Sequence, residues 1–290
     1  MRRFLSVAVL CCVVGVMVSA VVWAAQPAGV IDDRGQTIVI PKTPQRIVAV
    51  GALYAQVLVD LGAVDRVVAV ADSPENPPEV NGLSSVGPAY APSVETILSA
   101  NPDLVLGATD WGGERPALEA AGLTVLTTPL LTSIGDVLAS VRTIGTAIGL
   151  ADQANALAGR IAEAVISSEY RVLGLAPVRC AVLYPPALGT PPYAAGTGTI
   201  ESELLFRAGG VNVFADVEGF PQVNLEDLVA RDPEVIFSSL SQIAYITEDP
   251  LLQDVSAVRS GRVFGIDASR AASTAVAEVL GEMIERLHPE

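Results

Sequence analysis

Ser93-Val-Glu-Thr-Ile-Leu-Ser-Ala-Asn-Pro-Asp-Leu-Val-Leu106 returns, class by class and without a gap, as Asn224-Leu-Glu-Asp-Leu-Val-Ala-Arg-Asp-Pro-Glu-Val-Ile-Phe237. Each copy opens on Ser93 or Asn224, whose short polar side chain suits a helix N-cap. Two positions later a glutamate, Glu95 or Glu226, falls in the first turn, where the helix dipole favours an anion. Asn101-Pro102 and Asp232-Pro233 then end the helix, because proline disfavours helical backbone in the residue before it, and an apolar run suited to a buried strand follows. Helix-end electrostatics alone would explain either glutamate, at about 0.3–1 kcal/mol each. Their recurrence, one in each half of the chain, is a repeat that local helix stability does not require.

Outward from the repeat, strand and helix signals alternate. Strand-like runs at 46–50, 67–71, 104–107 and 124–127 are interleaved with helical stretches at 55–61, 94–100, 115–121 and 135–148. A second set has strands near 179–184, 235–238 and 262–266 and helices near 200–208, 225–230 and 271–287. This rhythm predicts an α/β protein of two small lobes with parallel-rich sheets. Between the sets, residues 151–175 contain no proline and carry Leu157, Ile161, Val165 and Val172 along one helical stripe, which predicts one long helix joining the lobes. A small hairpin, 30–33 with 37–40 around Arg34-Gly35, precedes the first set. The expected organisation is a leader over 1–24, an N-terminal lobe over 25–150, the linking helix over 151–175 and a C-terminal lobe over 176–290.

Composition narrows the chemistry. With 51% hydrophobic and 17% charged residues in 290, the chain can bury a sizeable core. Arg2 and Arg3, the apolar run 4–22 and the Val22-Trp23-Ala24 step read as an export signal cleaved near Ala25. The same run approaches the roughly 20 residues of a spanning helix, so a retained anchor is the alternative. A lipid anchor fits less well, because Cys11 and Cys12 lack the small residues that precede a lipidated cysteine. Cleavage would remove two positive charges from a chain already at −15, a balance that repels nucleic acid and anionic lipid. Beyond the leader Cys180 stands alone, so no intramolecular disulfide is expected. The one histidine, His288, lies near the C-terminus, which removes the usual general base, the Ser-His and Cys-His pairs and the commonest transition-metal ligand. Carboxylate-dependent hydrolysis stays open as the enzyme alternative; otherwise no catalytic residue, metal site or resident cofactor is expected.

Several motifs together resemble one family. Pro44-Gln-Arg-Ile-Val-Ala-Val50 with Leu61-Gly-Ala-Val-Asp-Arg-Val67, the Glu95 unit, Ala195-Gly-Thr-Gly-Thr199, Ala208-Gly-Gly-Val-Asn-Val213 and Phe220-Pro-Gln-Val-Asn-Leu-Glu226 are similar, in order and spacing, to the binding proteins that serve cobalamin, haem and ferric-siderophore ABC importers. The resemblance runs from about residue 41 to the end. It implies a periplasmic location, a long helix between two lobes, little lobe closure, and a ligand held in the cleft. It also implies that Glu95 and Glu226 dock on arginine pockets of a dimeric ABC permease, as charge-assisted contacts that set register, with the free protein a monomer.

Ligands of open α/β sheets sit at the carboxyl ends of strands. Tyr54, Ser73, Trp111, Tyr193 and Tyr245 fall just past predicted strand ends, which suggests a bulky, apolar-faced ligand. The stretches Asp72-Ser-Pro-Glu-Asn-Pro-Pro78, Trp111-Gly-Gly-Glu-Arg115 and Phe220-Pro-Gln222 resemble the cobalamin-binding branch, although Ser73 stands where that branch carries an aromatic residue. The resemblance therefore points to a cobalt corrinoid as ligand, with an iron chelate as the alternative. For an anionic ferric chelate, Arg115 and Arg270 are the cleft cations to consider; for haem, Tyr54, Tyr90 or Tyr193 could ligate iron. Gly196-Thr-Gly-Thr199 reads as a turn lining the cleft, because Glu201 and Glu203 in the following turn would repel a phosphate.

Overall fold

The computed structural model describes residues 28–289 with the exception of 111 and 112, so the predicted leader and Trp111 lie outside the described residues. The described residues start with the expected hairpin, β1 (Ala28–Ile31) paired antiparallel with β2 (Thr37–Ile40). There follow β3 (Ile47–Ala49), α1 (Ala52–Asp60), β4 (Val67–Asp72), β5 (Ser84–Pro88) and α2 (Val94–Ser99). Then come β6 (Leu104–Leu106), α3 (Glu114–Ala120), β7 (Val125–Leu126) and α4 (Ile134–Ala147). The strands of this stretch form a parallel sheet in the order β5-β4-β3-β6-β7. All three residues of β3 and of β6 are buried, as central strands covered on both faces must be.

The longest helix among the described residues is α5 (Ala151–Tyr170), which buries Ala154, Leu157, Ala158, Ile161 and Val165. Each of the larger side chains contributes about 1.5–3 kcal/mol on burial. Gly145 of α4 lets the two helices approach so closely that a Cβ there would stand 2.1 Å from the Cβ of Ala154. The helix stops earlier than its stripe predicts: the chain turns after Arg171, and Gly174 takes a left-handed φ of 82°. Val172 still packs against the core from that turn.

The second sheet repeats the plan of the first. It contains β8 (Val178–Tyr184), β9 (Tyr193–Ala194), α6 (Ile200–Arg207), β10 (Gly210–Asn212), α7 (Leu225–Arg231) and β11 (Val235–Ser239). α8 (Ile243–Thr247), α9 (Ser256–Arg259), β12 (Val263–Ile266), α10 (Ala268–Ala271) and α11 (Val276–Leu287) complete it. The order β10-β8-β11-β12 is parallel throughout, and β9 adds antiparallel to β8. It matches β4-β3-β6-β7 strand for strand. The helix predicted at 271–287 is broken: Ser273 Oγ accepts from Ala275 N at 3.1 Å between α10 and α11.

The repeat holds at the level of single bonds. Ser93 Oγ accepts from Thr96 N at 3.2 Å, and Asn224 Oδ1 accepts from Asp227 N at 2.6 Å, so both predicted N-caps form. Asn101 (φ 47°) and Asp232 (φ 40°) are the only non-glycine residues with positive φ among the described residues, and they occupy the same place in the two units. Arg46 Nε donates to the Asn101 carbonyl at 2.9 Å, and Arg179 donates to the Arg231 carbonyl, so each helix end is closed by an arginine within one residue of the start of the neighbouring strand.

Candidate functional site

A cavity of about 660 Å³ is walled by parts of both halves: α1, the loop after β4, α5, and the segment from β12 into α11. Its volume lies within the roughly 300–1,000 Å³ of small-molecule sites. A second hollow of about 420 Å³ adjoins it across Pro74 and Asn76. The loop between them is the proline-rich stretch after β4, whose prolines restrict its backbone. Asn76 Nδ2 donates to the Ala71 carbonyl at 2.7 Å, while its Oδ1 is buried without a partner.

Polar groups across the cavity tie the halves together. Thr274 Oγ1 donates to Asp60 Oδ2 at 2.6 Å, joining the segment before α11 to the end of α1. Elsewhere Glu203 of α6 accepts from Ile134 N at 2.8 Å, capping α4 from the other half of the molecule. Arg270 is held by Glu282 at 2.9 Å and Glu278 at 2.8 Å, and those carboxylates raise its pKa further, the Glu282 bond most. Burial opposes ionisation of Asp267, but hydrogen bonds from Ser269 and Arg270 outweigh it and hold the carboxyl below the usual range.

The predicted pocket residues separate. Arg270 lines the large cavity and Ser73 the adjoining one, where its hydroxyl donates to Glu75. Tyr90 is 88% exposed just past β5, and Tyr193 (44%) and Phe220 (46%) stand half exposed around the end of β8. Tyr245 is partly buried on α8. None of these four aromatic residues lines either cavity. Tyr54 is a correction: it is a core residue whose hydroxyl accepts from Thr128 N at 3.1 Å, and burial pushes its phenol pKa up. Helix α1 begins at Ala52, earlier than its sequence signal, and this turns Tyr54 inward onto the bare backbone of Gly107. Arg115 is a second correction. It is 1% exposed and forks onto Asp33 at 2.7 and 2.8 Å, anchoring the hairpin turn, so it offers no free cation. Gly196 packs where a Cβ would meet the Val217 carbonyl at 2.1 Å, so its motif is a close backbone crossing.

Sequence reading missed Tyr184 and Glu201. Tyr184, at the end of β8, lies 6.1 Å from Phe220 between ring centroids, and its hydroxyl donates to Glu201 Oε1 at 3.1 Å. Burial pushes the Glu201 carboxyl above its ordinary pKa. In the sequence Glu201 figures only as a charge in the first turn of α6 that would repel a phosphate, with no sign that the fold would cover it.

Glu95 and Glu226 occupy matching first turns of α2 and α7, and both are exposed. Neither lines either of the two cavities, and neither forms a salt bridge among the described residues. Among the described residues no group of histidine, cysteine, aspartate and glutamate could hold a metal ion.

A family model described as periplasmic binding protein matches residues 47–269. A cobalamin-binding protein of Halobacterium salinarum is 26% identical over 272 residues, which span 89% of this chain and 73% of that protein. The structure of an ABC-type Fe3+-hydroxamate transport system protein from Saccharomonospora viridis matches with a TM-score of 0.77 at 26% identity, covering 91% of this chain and 99% of that one. The heme-binding protein RhuT of Roseiflexus sp. RS-1 matches with a TM-score of 0.77 at 22% identity, over 84% of this chain and 98% of that one, a likeness of fold.

Proposed function

The chain belongs to the periplasmic binding protein family, and from that premise we propose that it is the extracytoplasmic ligand-capturing subunit of an ABC importer, taking a corrinoid, cobalamin or cobinamide, into the cavity between its two sheets. One observation carries the receptor reading: the duplicated glutamates stand exposed, outside both cavities, on equivalent helices of the two halves. Carboxylates that performed hydrolysis would face one reaction centre. Carboxylates that recognise a two-fold partner need the reverse, matching positions and free oxygens, so Glu95 and Glu226 are assigned to arginines of a dimeric permease. The protein is then a carrier, monomeric when free, with no resident cofactor.

The corrinoid assignment rests on the likeness to the Halobacterium protein and on a cavity of small-molecule size walled by both halves. A ferric hydroxamate is the second reading, favoured by the Saccharomonospora structure. Calorimetric titration with cyanocobalamin, dicyanocobinamide and ferrichrome separates them, with quenching of Trp111 as a second readout. Saturable one-site binding of a corrinoid is expected. Heat and quenching with ferrichrome, and none with either corrinoid, would replace the cargo.

A further inference from the structure

Carboxylates outnumber guanidinium groups on the walls of the large cavity. Asp60, Glu75, Asp267 and Glu278 line it against Arg160 and Arg270. Arg270 offsets only one of these charges and offers a ligand no free donor, because both of its outer nitrogens are taken by Glu278 and Glu282. Glu282 lies outside the lining and adds its own negative charge behind Arg270. Arg160, exposed on α5, is the one lining cation without a salt bridge among the described residues.

The uncharged polar groups lean the same way. Asn76 has spent a donor on the Ala71 carbonyl. Gln56 donates to Asp60, Thr274 donates to Asp60, and Ser273 donates to the Arg270 carbonyl. What this wall presents to an occupant is therefore largely acceptor oxygen and negative charge, in a recess whose low-dielectric walls concentrate the field.

We propose that the cleft selects its ligand by charge, favouring cationic or neutral, donor-rich chelates and rejecting anionic ones, so that among corrinoids it prefers those bearing net positive charge. The inference rests on the corrinoid-receptor reading for its ligand and on the cavity wall for its sign. The amide-fringed periphery of a corrinoid supplies N–H donors to the acceptor wall. A catecholate chelate, or a porphyrin with free propionates, would set anionic oxygens against it.

The test compares ligands of one shape and different charge on the wild-type protein: aquocobalamin, cyanocobalamin, and a cyanocobalamin in which one side-chain amide is hydrolysed to carboxylate. Affinity is expected to fall along that series by about fivefold per unit of charge at low salt. The differences should shrink once added salt brings the screening length below about 10 Å. The double variant E278Q/E282Q, which frees Arg270, is expected to narrow the series by raising affinity for the carboxylate. Equal affinities across the series, or tightest binding of the carboxylate, overturns the inference while leaving a corrinoid receptor in place. If no corrinoid binds, the cargo reading has failed, and the same sign is read on ferrioxamine B against its N-acetylated, neutral form. Preference for the neutral form, or binding of none of these chelates, then overturns the charge rule as well.

Discussion

Arg115 is buried with its guanidinium forked onto Asp33, and a second carboxylate, Asp32, stands 3.7 Å away. Asp33→Ala removes the two forked hydrogen bonds and leaves only Asp32 and, at 3.5 Å, Asp110 near the charge, so it should cost about 1.5–3 kcal/mol in denaturant melts. Glu201 makes the opposite expectation. Its folded pKa lies above the ordinary glutamate value because burial disfavours the anion. Between the two values the native state binds more protons than the unfolded chain, so this group's contribution to stability is largest in acid and falls as pH rises through that window. Glu201→Gln should therefore raise the melting temperature at neutral pH, with the gain vanishing in acid below the ordinary glutamate range. An equal gain at both pH values would contradict the assignment of burial as the cause. Sequence could not show either situation. Asp33 and Arg115 are 82 positions apart, and nothing local to Arg115 distinguishes a cleft cation from a buried anchor. Ser93 and Asn224 were legible because an N-cap is decided within three residues of itself.

At the scale of elements, the paired helices α4 and α5 depend on one missing methyl group. Gly145→Ala would place a Cβ 2.1 Å from that of Ala154, forcing the helices apart at about 1–3 kcal/mol. Gly159, on the same α5, meets nothing within 4 Å, so Gly159→Ala should stabilise by up to about 1 kcal/mol through helix propensity alone. Opposite shifts of the thermal midpoint in the two variants check this packing. Asn101 closes α2 in the left-handed region, where Asn101→Ala should lose about 1–2 kcal/mol and Asn101→Gly should lose little. The central strands were legible as unbroken apolar runs. β5 and β10 were not, since Ser84 and Ser85 are exposed on an edge strand and Gly210-Val211-Asn212 is short and polar at its end. The break between α10 and α11 escaped because Ser273 and Thr274 fit a helical surface, while in the fold Ser273 Oγ accepts from Ala275 N and Thr274 Oγ1 donates to the distant Asp60.

Across the described residues, two sheets that share a four-strand parallel order are held by α5, by Glu203 on the end of α4, and by Thr274 on Asp60. Those ties oppose wide hinge motion, so ligand saturation should change the small-angle scattering radius of gyration little. The two-part α/β plan was legible from the alternation of strand and helix signals and from the repeat. The chemistry of the cavity wall was not, because Asp60, Glu75, Arg160 and Asp267 come from four separate stretches that only folding brings together. The central claim is that ligand capture and permease recognition use different surfaces, the cavity for one and the twin glutamates for the other. It is tested most directly by the double variant Glu95→Ala with Glu226→Ala, assayed for ligand affinity in solution and for uptake with the cognate permease. Affinity unchanged and uptake strongly reduced is the expected result. Undiminished uptake, or loss of ligand binding by the purified variant, would contradict it.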